Sequence, residues 1–349
     1  MRIIVTGATG NVGTSVLDAL VAEPAVSEIT GLARRRPDFE KEKVRWVEAD
    51  VTTADLAPLF EGADAVIHLA WAIQPSHDEP TMERINVSGS ERVFAAVAAV
   101  GVPSLVYASS VGAYSPGPKD RQVDESWPTE GIPSSAYSRH KVSVERLLDR
   151  FEGENPGVRV VRMRPGLIFK SEAASEIRRF FIGPLLPGFL VRPRLIPFVP
   201  RVPRLRFQAV HADDVGDAYR RAVVEDVAGA FNLAAEPEIG PDELGELLRA
   251  RPVDVPARVL RAAADLSWRL HLQPADAGWI DLALGVPMMD SARAREKLGW
   301  RPGRSSLDAL AELLRGIRRG EGGPTPPLDP QAGGPLRAGE FASGVGQRQ

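Results

Sequence analysis

The stretch Thr6-Gly7-Ala8-Thr9-Gly10-Asn11-Val12-Gly13 decides how this chain folds. It follows the β-branched run Arg2–Thr6 and precedes Val12, Val16, Leu17, Leu20 and Val21, which recur at helical spacing. A glycine-rich turn between strand and helix lets the backbone approach a pyrophosphate, and the helix N-terminus adds amide donors and partial positive charge. The spacing is G-x-x-G-x-x-G rather than the commoner G-x-G-x-x-G, so the generic dinucleotide fingerprint does not apply unaltered. At the first strand–helix junction the turn still reads as a nucleotide site made by Gly7, Thr9, Gly10, Asn11, Val12 and Gly13.

Outward from this turn, strand-like runs recur at Glu28–Ala33, Val44–Glu48, Ala65–Leu69, Ser104–Ala108 and Val158–Met163. Most are nearly continuous in apolar residues, as strands buried on both faces are. Helical patterns cover Glu83–Ala99 and Tyr137–Phe151. The alternation predicts an α/β fold, a Rossmann-type doubly wound parallel sheet over residues 1–170. The texture changes after Pro165, and residues 171–206 are rich in Pro, Arg and large apolar side chains. Arg206–Val210 and Phe231–Leu233 read as strands, so residues 206–236 are expected to return to the first domain. Asp213-Asp214 are the expected cap of a helix between them. Helical patterns at Pro241–Ala250, Ala257–Leu272, Ser291–Leu298 and Leu307–Ile317 predict a smaller, mostly helical C-terminal substrate-binding domain over 171–318. Residues 319–349 have few large apolar groups and are expected to form a disordered tail.

Composition narrows the function classes. The 349 residues carry 43 Lys+Arg against 46 Asp+Glu, a net charge of -3, with no global attraction for nucleic acid or anionic membranes. No nucleic-acid partner is expected. The absence of cysteine excludes disulfides, thiolate metal sites and a Cys nucleophile. None of the five histidines has metal-ligand spacing, so no metal site is expected. No run of about 18 apolar residues is present to span a bilayer. The longest apolar zone, Phe180–Val191, is broken by Gly183, Pro184, Pro187 and Gly188. With no signal-peptide pattern at Met1, a cytoplasmic enzyme is the expectation.

Two further clusters point to chemistry. The second strand ends in Gly31-Leu32-Ala33-Arg34-Arg35-Arg36 with no carboxylate to bond a ribose 2′-hydroxyl. Arg34 and Arg35 suit a 2′-phosphate, so NADP(H) is expected over NAD(H). Asp50-Val51, after the third strand, is placed to meet an adenine edge. Tyr137 and Lys141 stand four apart on a predicted helix and share a face. An ammonium beside a phenol pulls its hydroxyl below the usual pKa of about 10, suiting it to pass a proton to or from a carbonyl or alcohol. Ser110, at the end of the fifth strand, would bond the same substrate oxygen. Trp71, Tyr114 and Arg178 complete the candidate substrate contacts, with Arg178 either gripping an anionic substrate or solvated in a Pro-rich loop spanning 177–206. His140 is expected on the surface, one residue off the Lys141 face.

In this order and spacing the chain resembles the extended short-chain dehydrogenase/reductases, the epimerase/dehydratase-like branch. The resemblance rests on Thr6–Gly13, Ala65-Val66-Ile67-His68-Leu69-Ala70, Asn86-Val87-x-Gly89, Ser109–Tyr114 and Tyr137-x-x-x-Lys141. It continues through Arg164-Pro165-Gly166, Val210-His211-x-Asp213-Asp214-Val215 and Leu298-Gly299-Trp300-x-Pro302. It implies Tyr137 as catalytic acid/base, Lys141 on the nicotinamide ribose and Ser110 orienting the substrate oxygen. It also implies Leu69, Ala70 and Pro165 in the cofactor site, and a homodimer through the helices at Glu83–Ala99 and Tyr137–Phe151. Two departures shape the reading. Val111-Gly112 stands where nucleotide-sugar dehydratases carry an Asp-Glu pair, which argues against 4,6-dehydration. The Ala33-Arg34-Arg35 run argues against an epimerase with retained NAD and toward an exchangeable NADPH. The expectation is therefore a carbonyl/alcohol oxidoreductase working as a reductase. A nucleotide-sugar epimerase is the runner-up, and a non-catalytic NADP sensor the alternative from another class.

Overall fold

The computed structural model describes residues 1–73, 77–182, 196–273 and 275–331. Seven parallel strands form the central sheet: β1 (Arg2–Thr6), β2 (Glu28–Ala33), β3 (Val44–Glu48), β4 (Ala65–His68), β5 (Ser104–Ala108), β6 (Arg159–Pro165) and β7 (Gly229–Leu233). Their spatial order is β7-β6-β5-β4-β1-β2-β3. The order reverses between β1 and β4, and the crevice beyond those carboxyl ends is where such sheets bind ligands. Phe231–Leu233, read as a strand from sequence, lies in the outermost strand β7, joined to β6.

The continuous apolar strands follow from burial on both faces. Ile3 and Val5 enter a core with Val16, Leu17 and Leu20 of α1 (Asn11–Val21). Ile4 between them enters the opposite core, with Val93, Phe94 and Val97 of α2 (Gly89–Val100) and Val144 and Leu148 of α3 (Ala136–Glu154). Val215, Ala218 and Tyr219 of α4 (Ala212–Val224) pack into the α1 core. The second half adds short helices at Pro241–Leu248, Ala257–Arg269, Ala277–Gly285 and Ala292–Lys297, then α5 (Ser306–Arg319). Among the described residues no helix is long and apolar enough to cross a membrane.

A buried ion network ties the pieces. Glu145 on α3 is fully buried. Its carboxylate accepts from Ser109 Oγ at 2.5 Å, Arg164 Nε and Nη2 at 3.0 Å each, and Arg162 Nη1 at 2.8 Å. Arg164 also donates to Tyr114 Oη at 3.1 Å, and Tyr114 in turn donates to Asn232 Oδ1 of β7 at 2.6 Å. Burial alone would push Glu145 up, but the two guanidiniums and the Ser109 hydroxyl outweigh it and hold the carboxyl at about 2.

Two expectations change here. Asp213 and Asp214 are not the cap of α4. His211 is, its Nδ1 accepting from the Asp213 amide at 3.1 Å. The carboxylates look outward to partners distant in sequence: Asp213 accepts from Ser15 Oγ of α1 at 2.9 Å, and Asp214 from the Gly303 amide at 2.8 Å. The expected disordered tail is also corrected in its first part. Leu328 and Thr325 are buried, and Thr325 Oγ1 donates to the Thr9 carbonyl at 2.7 Å. One leucine suffices because the Gly323 amide closes a turn onto the Leu328 carbonyl at 2.8 Å, bringing the backbone in tightly. Residues 332–349 lie outside the described residues.

The Glu145 network makes a pH-dependent contribution. A carboxyl lowered from 4.5 to about 2 contributes stability that is complete above pH 4.5 and is lost as pH falls through that value toward 2. Glu145→Gln is expected to cost about 3–5 kcal/mol at pH 7, because it leaves buried guanidiniums short of a partner. Its melting temperature should also fall less steeply than wild type between pH 5 and pH 3. Parallel melting curves across that range in both proteins would contradict this assignment.

Candidate active site

The glycine turn sits at the reversal point of the sheet. The Gly7 and Ala8 amides donate to the Leu32 carbonyl at 3.1 and 3.3 Å. Gly7 has φ +69° and lies against the loop after β4, where a Cβ would stand 2.7 Å from the Ala70 amide nitrogen. At Gly13 a Cβ would meet the Gly7 carbonyl at 2.4 Å, so the helix can start this close only without side chains. Gly10 is the N-cap of α1 and no side chain caps it. The first intrahelical bond runs from the Thr14 amide to the Gly10 carbonyl, which leaves the amides of Asn11, Val12 and Gly13 ahead of it. This is a cradle for an anionic diphosphate, and the residues present fit a dinucleotide.

The loop after β2 is basic. Arg34, Arg35 and Arg36 are exposed, and none has an ion pair or side-chain hydrogen bond among the described residues. Asp50 Oδ1 is engaged by the Thr52 amide and hydroxyl at 2.8 and 2.7 Å, and Val51 beside it is buried. Pro165 closes β6 two residues beyond the Ala108–Met163 pair, level with Ser110.

Loop Leu69–Ala72 is held by a polar chain. Thr6 Oγ1 bonds His68 Nδ1 at 2.7 Å and accepts from the Ala70 amide at 3.3 Å. His68 Nε2 bonds Ser90 Oγ at 2.9 Å. Asn86 clamps Ala72, its Oδ1 accepting from the Ala72 amide at 2.7 Å and its Nδ2 donating to the Ala72 carbonyl at 3.0 Å. Burial and then the Lys141 charge push His68 down to about 3, so it stays neutral. Trp71, on this loop, projects toward α3.

Tyr137 and Lys141 lie one turn apart on α3, whose N-terminus is capped by Ser135. Ser138 between them donates to the Gly112 carbonyl at 2.5 Å and accepts from the Ile132 amide at 2.7 Å, fastening the helix to the loop after β5. Ser110 lies on that loop, accepts from the Gly112 amide at 3.0 Å and stands near enough to draw the Tyr137 phenol down. A Cβ at Gly112 would come within 2.7 Å of Tyr137 Cε1, so the ring lies where it does only because position 112 has no side chain. Ser110, Tyr137 and Lys141 are therefore grouped where α3 faces the loop after β5.

The electrostatics differ from expectation. Lys141 Nζ donates to the Ala108 carbonyl at 2.6 Å, stands 3.4 Å above the Trp71 ring centroid and is 5.8 Å from that of Tyr137. Burial, partly offset by Glu145, lowers the Lys141 ammonium well below its ordinary value. Tyr137 is not lowered. Burial raises it to about 12 despite Ser110, because the ammonium is spent on Trp71 and Ala108 rather than on the phenol. The phenol is held protonated.

Other candidates fall elsewhere. Tyr114 is fully buried and bonded to Arg164 and Asn232, which removes it from the substrate contacts. Its aromatic ring fills the space under β7, as a core residue does. His140 is buried rather than on the surface, with Glu79 3.9 Å from its Nε2. Arg178 opens the turn Arg178–Ile182 and is half-buried, while Arg192 and Arg194 lie outside the described residues. Sequence reading missed Trp279, whose ring centroid lies 5.2 Å from that of Tyr137, with Phe181 5.0 Å from Trp279. No local motif marks Trp279, since it reaches the site only by folding of the second half. A cavity of about 740 Å³ between Pro118, Trp127, Arg204 and Leu284 includes Ile132 but not Ser110, Tyr137 or Lys141. Among the described residues no group of three His, Asp or Glu side chains is arranged to hold a metal.

This geometry has relatives. The chain is 26% identical over 321 residues to an uncharacterised protein of Mycobacterium tuberculosis, matching 91% of this chain and only 30% of that protein's length. It is 24% identical to a UDP-glucose 4-epimerase of Mycolicibacterium smegmatis, over 91% of this chain and 99% of that one. It is 28% identical to a 4-hydroxy-2-methyl-3-oxo-4-farnesyl-3,4-dihydroquinoline-1-oxide ketoreductase of Stigmatella aurantiaca, over 89% and 96%. The solved structure of Thermotoga maritima UDP-glucose 4-epimerase with UDP-glucose shares the fold, with a TM-score of 0.67 at 19% identity over 91% of this chain and 99% of that one. Residues 3–234 match the NAD dependent epimerase/dehydratase family, and the chain belongs to it.

Proposed function

We propose that this protein is an NADP(H)-linked reductase of a carbonyl substrate, with Tyr137 as the proton donor. The observation that carries the reading is the grouping of Ser110, Tyr137 and Lys141 where α3 faces the loop after β5, with the phenol held protonated. A protonated phenol is the form that gives a proton to an oxygen gaining charge during reduction. A nicotinamide held there would supply the hydride. Ser110 shares its hydrogen bond with the same oxygen and fixes its position. Lys141, donating to the Ala108 carbonyl, is held within reach of the α3 face where the nicotinamide ribose would lie. The amides of Asn11, Val12 and Gly13 would hold the diphosphate. Arg34 and Arg35 favour the phosphorylated cofactor: each is exposed and without a described partner, and no carboxylate ends β2. The 28% identity to a ketoreductase supports reduction. Epimerisation with retained NAD stays the second reading, favoured by the 24% identity to an epimerase. Gly112, where an acid would displace Tyr137, speaks against dehydration.

Titration of the purified protein should show NADPH binding tighter than NADH. Arg34→Ser and Arg35→Ser should each weaken NADPH by about tenfold, the scale of one charge-assisted hydrogen bond, and leave NADH unchanged. Equal loss for both nucleotides would place these arginines outside the cofactor site. Tyr137→Phe should lower the turnover of NADPH-dependent carbonyl reduction by about 10²–10⁴ while leaving NADPH affinity near wild type. Turnover retained in that variant would remove Tyr137 from the mechanism.

A further inference from the structure

The wall around the Tyr137 hydroxyl is aromatic and aliphatic rather than polar. Trp279 lies 5.2 Å from the Tyr137 ring at 34°, and Trp71 6.0 Å away at 77°. Phe181 meets Trp279 edge-on at 5.0 Å and 84°. Tyr137 and Trp279 also pack with Val111, Ile132, Leu282 and Val286. Rings from the loop after β4 and the helix Ala277–Gly285 thus meet Tyr137, and a third, from the turn Arg178–Ile182, backs Trp279.

Among the described residues, several polar groups at this place are engaged. Both bonds of the Ser138 hydroxyl close onto backbone. Arg139 is turned to the Pro133 carbonyl at 2.7 Å and to Glu79. Tyr137, Ser110 and the buried, unpartnered Trp71 Nε1 remain to meet the polar atoms of a substrate. A hexose brings several hydroxyls, and each one buried without a partner costs about 1–3 kcal/mol. A flat apolar ligand brings none, and gains both buried area and ring contact.

We infer that the site takes a planar, uncharged, apolar carbonyl compound, seated against Trp279, Phe181 and Trp71 with its single oxygen on Tyr137 and Ser110. This rests on the reductase reading for its chemistry but not for its binding. Trp279 is the specificity-determining residue, because it touches both Tyr137 and Phe181.

The test measures binding and turnover separately on the NADPH-loaded protein. Equilibrium dialysis with 2-acetylnaphthalene and with UDP-glucose reports binding. The ketone should bind at least about tenfold tighter than UDP-glucose. Trp279→Ala should weaken the ketone by about tenfold or more, Trp279→Phe should restore it to within about threefold, and both should keep NADPH affinity within about twofold. Tighter UDP-glucose binding, or ketone binding indifferent to Trp279, overturns the inference. NADPH oxidation then separates the two claims. A ketone bound through Trp279 but never reduced would uphold the substrate class and sink the reductase reading. Tyr137-dependent reduction of glyceraldehyde, with no binding of the naphthyl ketone, would do the reverse.

Discussion

The placement of a single buried carboxylate organises this molecule. Glu145 lies one helical turn beyond Lys141 on α3 and accepts hydrogen bonds from Ser109, Arg162 and Arg164. Ser109 adjoins Ser110, Arg162 and Arg164 lie on β6, and Arg164 reaches β7 through Tyr114 and Asn232. One charge therefore sets the height of α3 against three strand ends. A buried charge tolerates no slack, because any partner withdrawn leaves the rest desolvated and unpaired. That rigidity is what a proton donor and its orienting hydroxyl need, since catalytic geometry fails over displacements of about 1 Å.

The same burial that stiffens the site sets its chemistry. It raises the Tyr137 phenol and lowers the Lys141 ammonium, so each group moves toward its neutral form. Against this, Trp71 covers Lys141 with its ring face, a contact that favours the ammonium. Nearby, His68 is neutral as well and serves as a link between Thr6 and Ser90. Behind α3 the Glu145, Arg162 and Arg164 charges persist in a buried cluster, while exposed charge lies on the arginines after β2.

How much of this was legible in the chain depends on the range of the interaction. The β1 turn, the Tyr-x-x-x-Lys pair and Ser110 are local patterns whose spacing carries their meaning, and Tyr137 and Lys141 share a turn of α3 beside the loop that carries Ser110. The parallel sheet was readable because Ile3, Ile4 and Val5 must all be apolar when both faces are covered. What failed was long-range or energetic. The Tyr137 pKa went up because burial and the turning of Lys141 to Ala108 are tertiary facts. Tyr114 looked like a pocket residue by position, yet its hydroxyl is spent on Arg164 and Asn232. Trp279 lies in a stretch that carries no motif of its own, and Thr325 finds Thr9 across more than three hundred residues. Composition alone made that segment look unable to pack.

The central claim is that this fold operates with an exchangeable phosphorylated nicotinamide rather than a captive one. Purifying the protein, denaturing it and identifying the released nucleotide by chromatography tests it most directly. The account predicts an extract with well under one equivalent of nucleotide, and NADP(H) where any is found. One equivalent of NAD per chain would contradict it, because a cofactor regenerated in place belongs to epimerisation.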